Sequence, residues 1–125
     1  MNSNAIRILG FSLGFLLLFH GIDKLSNGVG FIEQMLKGVG IPYAQYFSYT
    51  VFIGELIAPV LLIIDRYVKV AGGLIAVNML VAIILAHKDT IFTLSEHGGW
   101  SIELQLLYLV AGLTLAVQDI SKVNI

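Results

Sequence analysis

The stretch Val51-Phe-Ile-Gly-Glu55-Leu-Ile-Ala-Pro59-Val-Leu-Leu-Ile-Ile-Asp65-Arg66-Tyr67-Val68-Lys69-Val70-Ala-Gly-Gly-Leu-Ile-Ala-Val-Asn78-Met-Leu-Val-Ala-Ile-Ile-Leu-Ala86 decides the fold. Two apolar runs flank one compact charged turn, Asp65 to Lys69. A helix that crosses a bilayer needs about 20 mostly apolar residues, with a range of about 17–25. The first run, extended back to Tyr46, predicts a helix over approximately 46–64, and the second predicts one over approximately 70–86. Working outward, two further apolar segments lie at approximately 6–22 and 102–117. All four are at the short end of the range, so their flanks are expected in the interface.

The expected fold is therefore all-α: a four-helix transmembrane bundle in one domain. The first loop, from Asp23 to Tyr43, is the long one. Within it, Phe31 to Lys37 places apolar residues at i, i+1, i+4 and i+5, the pattern of a short amphipathic helix on the membrane surface. Gly38, Gly40 and Pro42 end it. Ser95-Glu-His-Gly-Gly99 is a polar, glycine-rich break before the last helix. Trp100, Tyr46, Tyr49 and Tyr67 fall near helix ends, where amphipathic rings favour the headgroup level.

Composition agrees. Hydrophobic residues make up 58% of the chain and charged residues 12%, against about 25% charged in ordinary soluble domains. A soluble protein this apolar could not cover its surface. The net charge of -1 argues against a nucleic-acid partner. The absence of cysteine removes disulfides, iron–sulfur clusters and thiol redox chemistry. Ile8 to Phe19 resembles a signal-peptide core, but no small-residue cleavage site follows, so a retained helix is expected.

An even helix count puts both termini on one side, with Arg7, Arg66, Lys69 and Lys122 there and Lys24, Lys37 and Lys88 opposite. The positive-inside rule then favours cytoplasmic termini. Small residues recur four apart at Gly10/Gly14, Gly54/Ala58, Gly72/Ala76 and Gly112/Ala116. The expected use is close packing within one bundle; the alternative is a dimer face, which would make a homo-oligomer.

The polar residues are few and specific in depth. Glu55 lies nine residues from the inner end of its helix and Asn78 eight from the inner end of the next. At ~1.5 Å per residue these are ~13 and ~12 Å deep, near the middle of a core ~30 Å thick. The two meet if their helices face each other. An acid at this depth costs about 2.5–3.5 kcal/mol on insertion scales and calls for a cation or donors. Pro59, one turn on, predicts a kink that frees carbonyls near Glu55.

His20, Asp23 and Lys24 end the first helix, His87 and Lys88 the third, and Glu103 and Gln105 begin the fourth. All four helices thus bring polar groups to the outer half, predicting a polar funnel with Glu55 toward its floor. The candidate ligand or proton site is Glu55, His20, Asn78, Glu103, His87 and Lys24. Each has a bland alternative. Glu55 can be a neutral acid bonded to Asn78, the histidines can be interfacial, and Glu103 is favoured at a helix start by the dipole. Asp23 and Lys24 read as an interfacial charge pattern. Two histidines suit axial haem ligation in principle, but no other haem signal accompanies them. No metal-ligand set is expected.

His20-Gly-Ile-Asp-Lys24-Leu25 behind Arg7, Gly40-Ile-Pro42, Gly54-Glu55 with Pro59-Val-Leu-Leu62, Gly72-Gly73, and Gly98-Gly-Trp-Ser-Ile-Glu103-Leu104 running on to Leu106-Leu-Tyr108 occur in that order. Together they resemble the DoxX family over nearly the whole chain. The resemblance implies a small four-helix protein of the bacterial inner membrane. Some relatives are membrane subunits of thiosulfate:quinone oxidoreductases, and others are associated with membrane redox complexes and oxidative stress. Arg7, His20, Lys24, Glu55 and Glu103 are the positions carried over. Relatives that handle thiols carry cysteines, so this chain departs from them and lacks direct thiol–disulfide exchange.

Three functions follow as expectations. The first is a quinone- or lipophile-binding subunit, embedded in membrane lipid and serving a redox partner subunit, with no covalent cofactor. The second is a small proton-coupled transporter using the buried Glu55. The third is an accessory subunit without chemistry of its own.

Overall fold

The computed structural model describes residues 3–118, so Lys122 of the expected charge bias lies outside the described residues. Five helices follow one another: α1 Ser3–Asn27, α2 Gly30–Gly38, α3 Ala44–Ile63, α4 Val68–Ala86 and α5 Glu103–Val117. No β-strand occurs among the described residues beyond an isolated bridge between Leu94 and Trp100. The expected all-α fold is the one observed. α1, α3 and α4 are long and apolar enough to cross a membrane, whereas α5 is an apolar helix of 15 residues.

The helices form because long apolar segments satisfy their own backbone groups, which a bilayer demands, and only α3 among the described helices carries a proline, Pro59. Their surfaces are apolar all round, as expected when lipid replaces water on the outer face. α1 turns Ile6, Leu13, Leu17 and Gly21 inward and leaves Phe11, Phe15 and Phe19 outward. α4 turns Val68, Ala71, Ile75, Met79 and Ile83 inward at three- and four-residue spacing.

The order of packing is a closed ring: α1 on α3, α3 on α4, α4 on α5, and α5 back on α1. The small residues are spent inside this ring. A Cβ on Gly72 would stand 2.5 Å from the carbonyl oxygen of Gly112, and one on Gly112 would stand 2.7 Å from that of Gly72, so α4 and α5 meet backbone to backbone.

Antiparallel succession sorts the ends. At one end Arg7 pairs with Asp65 at 3.2 Å and Lys69 donates to the carbonyl of Gln118 at 2.7 Å. This gathers the start of α1, the α3–α4 turn and the finish of α5. The other end collects the finish of α1, α2, the start of α3, the finish of α4 and the start of α5.

Two differences from the expected elements matter. α1 continues to Asn27 rather than stopping at Ile22, which adds the turn that carries Lys24. α3 is irregular: a 3₁₀ turn at Ser48–Thr50 and a π-turn at Ile53–Ile57 precede a regular segment, Ala58–Ile63. Pro59 lacks an N–H for the carbonyl of Glu55, four residues back, and its ring crowds that carbonyl. Where a kink is expected, the helix carries this π-turn, a wider turn that absorbs an extra residue.

Candidate functional site

Glu55 sits on the π-turn, and its neighbours follow from what surrounds that turn. Gly21 of α1 lies against the Glu55 carbonyl so closely that a Cβ there would overlap the oxygen. This contact brings α1 onto α3 with backbone separation that no larger residue permits. Lys24 follows Gly21 by three residues and therefore projects from the same face. Its Nζ lies 2.6 Å from Glu55 Oε1, with the side chains only 14% and 5% exposed.

On the other flank Gly54 makes room for α4. A Cβ on Gly54 would stand 2.5 Å from Cβ of Asn78. Asn78 Nδ2 donates to Glu55 Oε2 at 2.9 Å. Each carboxylate oxygen of Glu55 thus has its own donor, one cationic and one neutral, from two different helices. That compensates the desolvation a lone acid would suffer in lipid. Nζ of Lys24 also lies 5.9 Å from the centre of the Phe31 ring on α2, within cation–π range.

The cluster lines a cavity of about 490 Å³ between the helices. Apolar side chains line most of it: Phe31, Met35 and Leu36 from α2, Val51 from α3, Met79 and Leu85 from α4. The polar members are His20, Lys24, Glu55, Asn78, Gln105 and Tyr108, with Ser48, Thr50 and His87 at its wall. His20 and Tyr108 meet edge to face with ring centres 5.9 Å apart. The buried carbonyl oxygen of Gln105 has no hydrogen-bond partner among the described residues. Such an arrangement can hold a molecule with an apolar body and a small polar head, and can exchange protons at that head.

The structure places Glu55, Asn78, Lys24, His20 and His87 on this one cavity. Glu103 is not among its lining residues. It is exposed at the start of α5, and its Oε2 lies 2.8 Å from where a Cβ on Gly99 would stand. Asp23 and Lys24 do not act as one charge pattern: Asp23 accepts from Asn27 at 2.7 Å on the exposed side, while Lys24 turns inward. Sequence reasoning did not include Tyr108 in the site. The available signal was its position three residues after Gln105, on the same face of α5. Among the described residues no group of three or more His, Cys, Asp or Glu side chains gathers to hold a metal.

The family model described as DoxX matches residues 5–88, which is more than half of the chain and takes in Lys24, Glu55, Asn78 and His87. The match ends before α5. No curated protein and no solved structure matches the chain.

Proposed function

We propose that this chain, which belongs to the DoxX family of membrane proteins, binds a lipophile with a polar head, of the quinone class, between its helices and serves a membrane redox partner. The observation that carries the reading is the buried Lys24–Glu55–Asn78 cluster on the wall of a mostly apolar cavity. Binding sites for small molecules combine a mostly apolar wall with a few polar groups that fix orientation, in volumes of about 300–1,000 Å³.

The residues fit such a head. A quinone supplies two-electron, two-proton chemistry when bound. Lys24 has two ammonium protons beyond the one given to Glu55, and these suit a carbonyl oxygen. In this reading the His20 imidazole and the Tyr108 hydroxyl, whose rings meet on the cavity wall, hold or pass a proton at that head. The unpartnered Gln105 oxygen suits a head that donates a hydrogen bond. The apolar wall from α2 and α4 suits a ring and its tail.

We place the protein in the cytoplasmic (inner) membrane of a bacterium. Arg7 and the compact Arg66/Lys69 turn share the end opposite the cavity, and with Lys122 the sequence count is four against Lys24, Lys37 and Lys88, which leans toward a cytoplasmic position for that end. The cavity then opens toward the outer leaflet.

Native mass spectrometry of gently extracted protein, wild type beside Glu55→Gln, tests the reading. The expected result is a retained quinone in wild type that is lost in the variant, with or without a co-purifying subunit. Ligand-free protein in both samples, after extraction from membranes whose quinone content has been verified, counts against the slot and transfers weight to the transporter and accessory alternatives.

A further inference from the structure

α5 has 15 residues, against 19 to 25 in the three helices long enough to cross a membrane. At 1.5 Å per residue it rises ~22 Å, about 8 Å short of a hydrocarbon core ~30 Å thick. On this arithmetic the residues just before it fall at the missing level, and large apolar side chains are among them. Phe92 is 98% exposed and Leu94 71%, and Trp100 is partly exposed beside them. Leu104 and Leu107, in the first two turns of α5, are exposed as well.

Irregular backbone at this depth needs partners of its own. The segment supplies them. Ser95 N donates to Gly99 O at 2.6 Å and Ser101 N to Thr93 O at 3.1 Å, and Thr93 Oγ1 donates to Ser101 Oγ at 3.0 Å. The Trp100 indole donates to the Ile91 carbonyl, and the Ser101 hydroxyl to that of Thr90. The bridge between Leu94 and Trp100 folds the segment into a hairpin-like loop whose tip carries Glu96 and His97, paired at 3.3 Å. The base is apolar, the tip is charged, and residues 90–95 and 98–101 hold no ionisable side chain.

We infer that residues 90–101 are an interfacial anchor: Phe92, Leu94 and Trp100 enter the lipid at the boundary between hydrocarbon and headgroups, on the side where α5 falls short of it. Glu96 and His97 stay in water. The partner of this surface is a lipid bilayer. The inference depends on the chain's being a membrane protein and is independent of any ligand in the cavity.

Trp100 is the single tryptophan of the chain, so its fluorescence reports this segment alone. The protein is reconstituted in phosphatidylcholine vesicles brominated near the headgroup or near the chain end. The expected result is blue-shifted emission that loses the larger part of its signal to shallow bromines, less to deep ones and little to aqueous iodide. Because Trp100 also touches protein, Phe92→Cys, in a chain without other cysteine, carries a nitroxide label as a second probe. Its relaxation is expected to respond to oxygen, which concentrates in lipid, more than to a water-soluble nickel complex. A label relaxed chiefly by nickel, with Trp100 quenched by iodide, overturns the inference. Protection of both probes from lipid and water quenchers overturns it too, since it means that protein covers the segment.

Discussion

Lys24 Nζ and Glu55 Oε1 lie 2.6 Å apart, across the α1–α3 contact and 31 residues apart in the chain. The pair is nearly closed to solvent, and Asn78 takes the second carboxylate oxygen. One cation, one anion and one amide from three helices therefore meet at a point where each alone would be costly in lipid.

Removing one member of this group should cost more than its share. Lys24→Met leaves a carboxylate without its cation, and the expected loss is about 3–5 kcal/mol. Combining it with Glu55→Gln removes both charges, and the double variant should be more stable than the two single losses added together would make it. Unfolding titrations in detergent for the four proteins of this cycle give the coupling. Strict additivity would mean that the pair does not interact in the folded protein.

Gly21 and Gly10 stand on the same helix and should respond differently to the same change. Gly21→Ala drives a methyl group into the Glu55 carbonyl, and overpacking of this kind costs about 1–3 kcal/mol. Gly10→Ala meets only Leu62 Cδ2 at 3.8 Å, an ordinary contact, and gains helix propensity. Thermal melts of both variants in one detergent check the contrast. Equal effects would contradict the close approach at Gly21.

Pro59→Ala restores an N–H opposite the Glu55 carbonyl. The π-turn can then relax to a regular turn, and loss of its extra residue rotates the preceding segment by ~100°. Glu55 should swing off Lys24, so the coupling measured by the cycle above is expected to fall when repeated with Pro59→Ala present. An unchanged coupling would assign the π-turn to the packing at Gly21 and Gly54 instead.

Much of this arrangement was legible in advance, for reasons local to the chain. Hydropathy and length located the apolar helices within a few residues, except that α1 runs one turn further. Rise per residue put Glu55 and Asn78 at one level, and Pro59 marked the irregular turn beside them. Glu103 and Lys24 were less legible. Both are polar residues at helix ends at the same level, and depth alone cannot say that one turns outward against Gly99 while the other turns inward to Glu55. Tyr108 escaped notice because a tyrosine in an apolar helix reads as packing until His20 and Gln105 are seen on the same wall.

The sequence by itself determined which segments are helical, that they belong in a membrane, and at what level along its helix each polar group stands. These depend on apolarity summed along a segment and on a constant rise per residue. Only the tertiary structure decided which side chains face one another. Helices apolar all round carry no polar stripe to fix their rotation, so rotation is set by close contacts at Gly21, Gly54, Gly72 and Gly112, with backbone at three of them and with the Asn78 side chain at Gly54. Those contacts join helices distant in sequence, and they turn Lys24, Asn78 and Tyr108 toward one cavity while leaving Glu103 outside it.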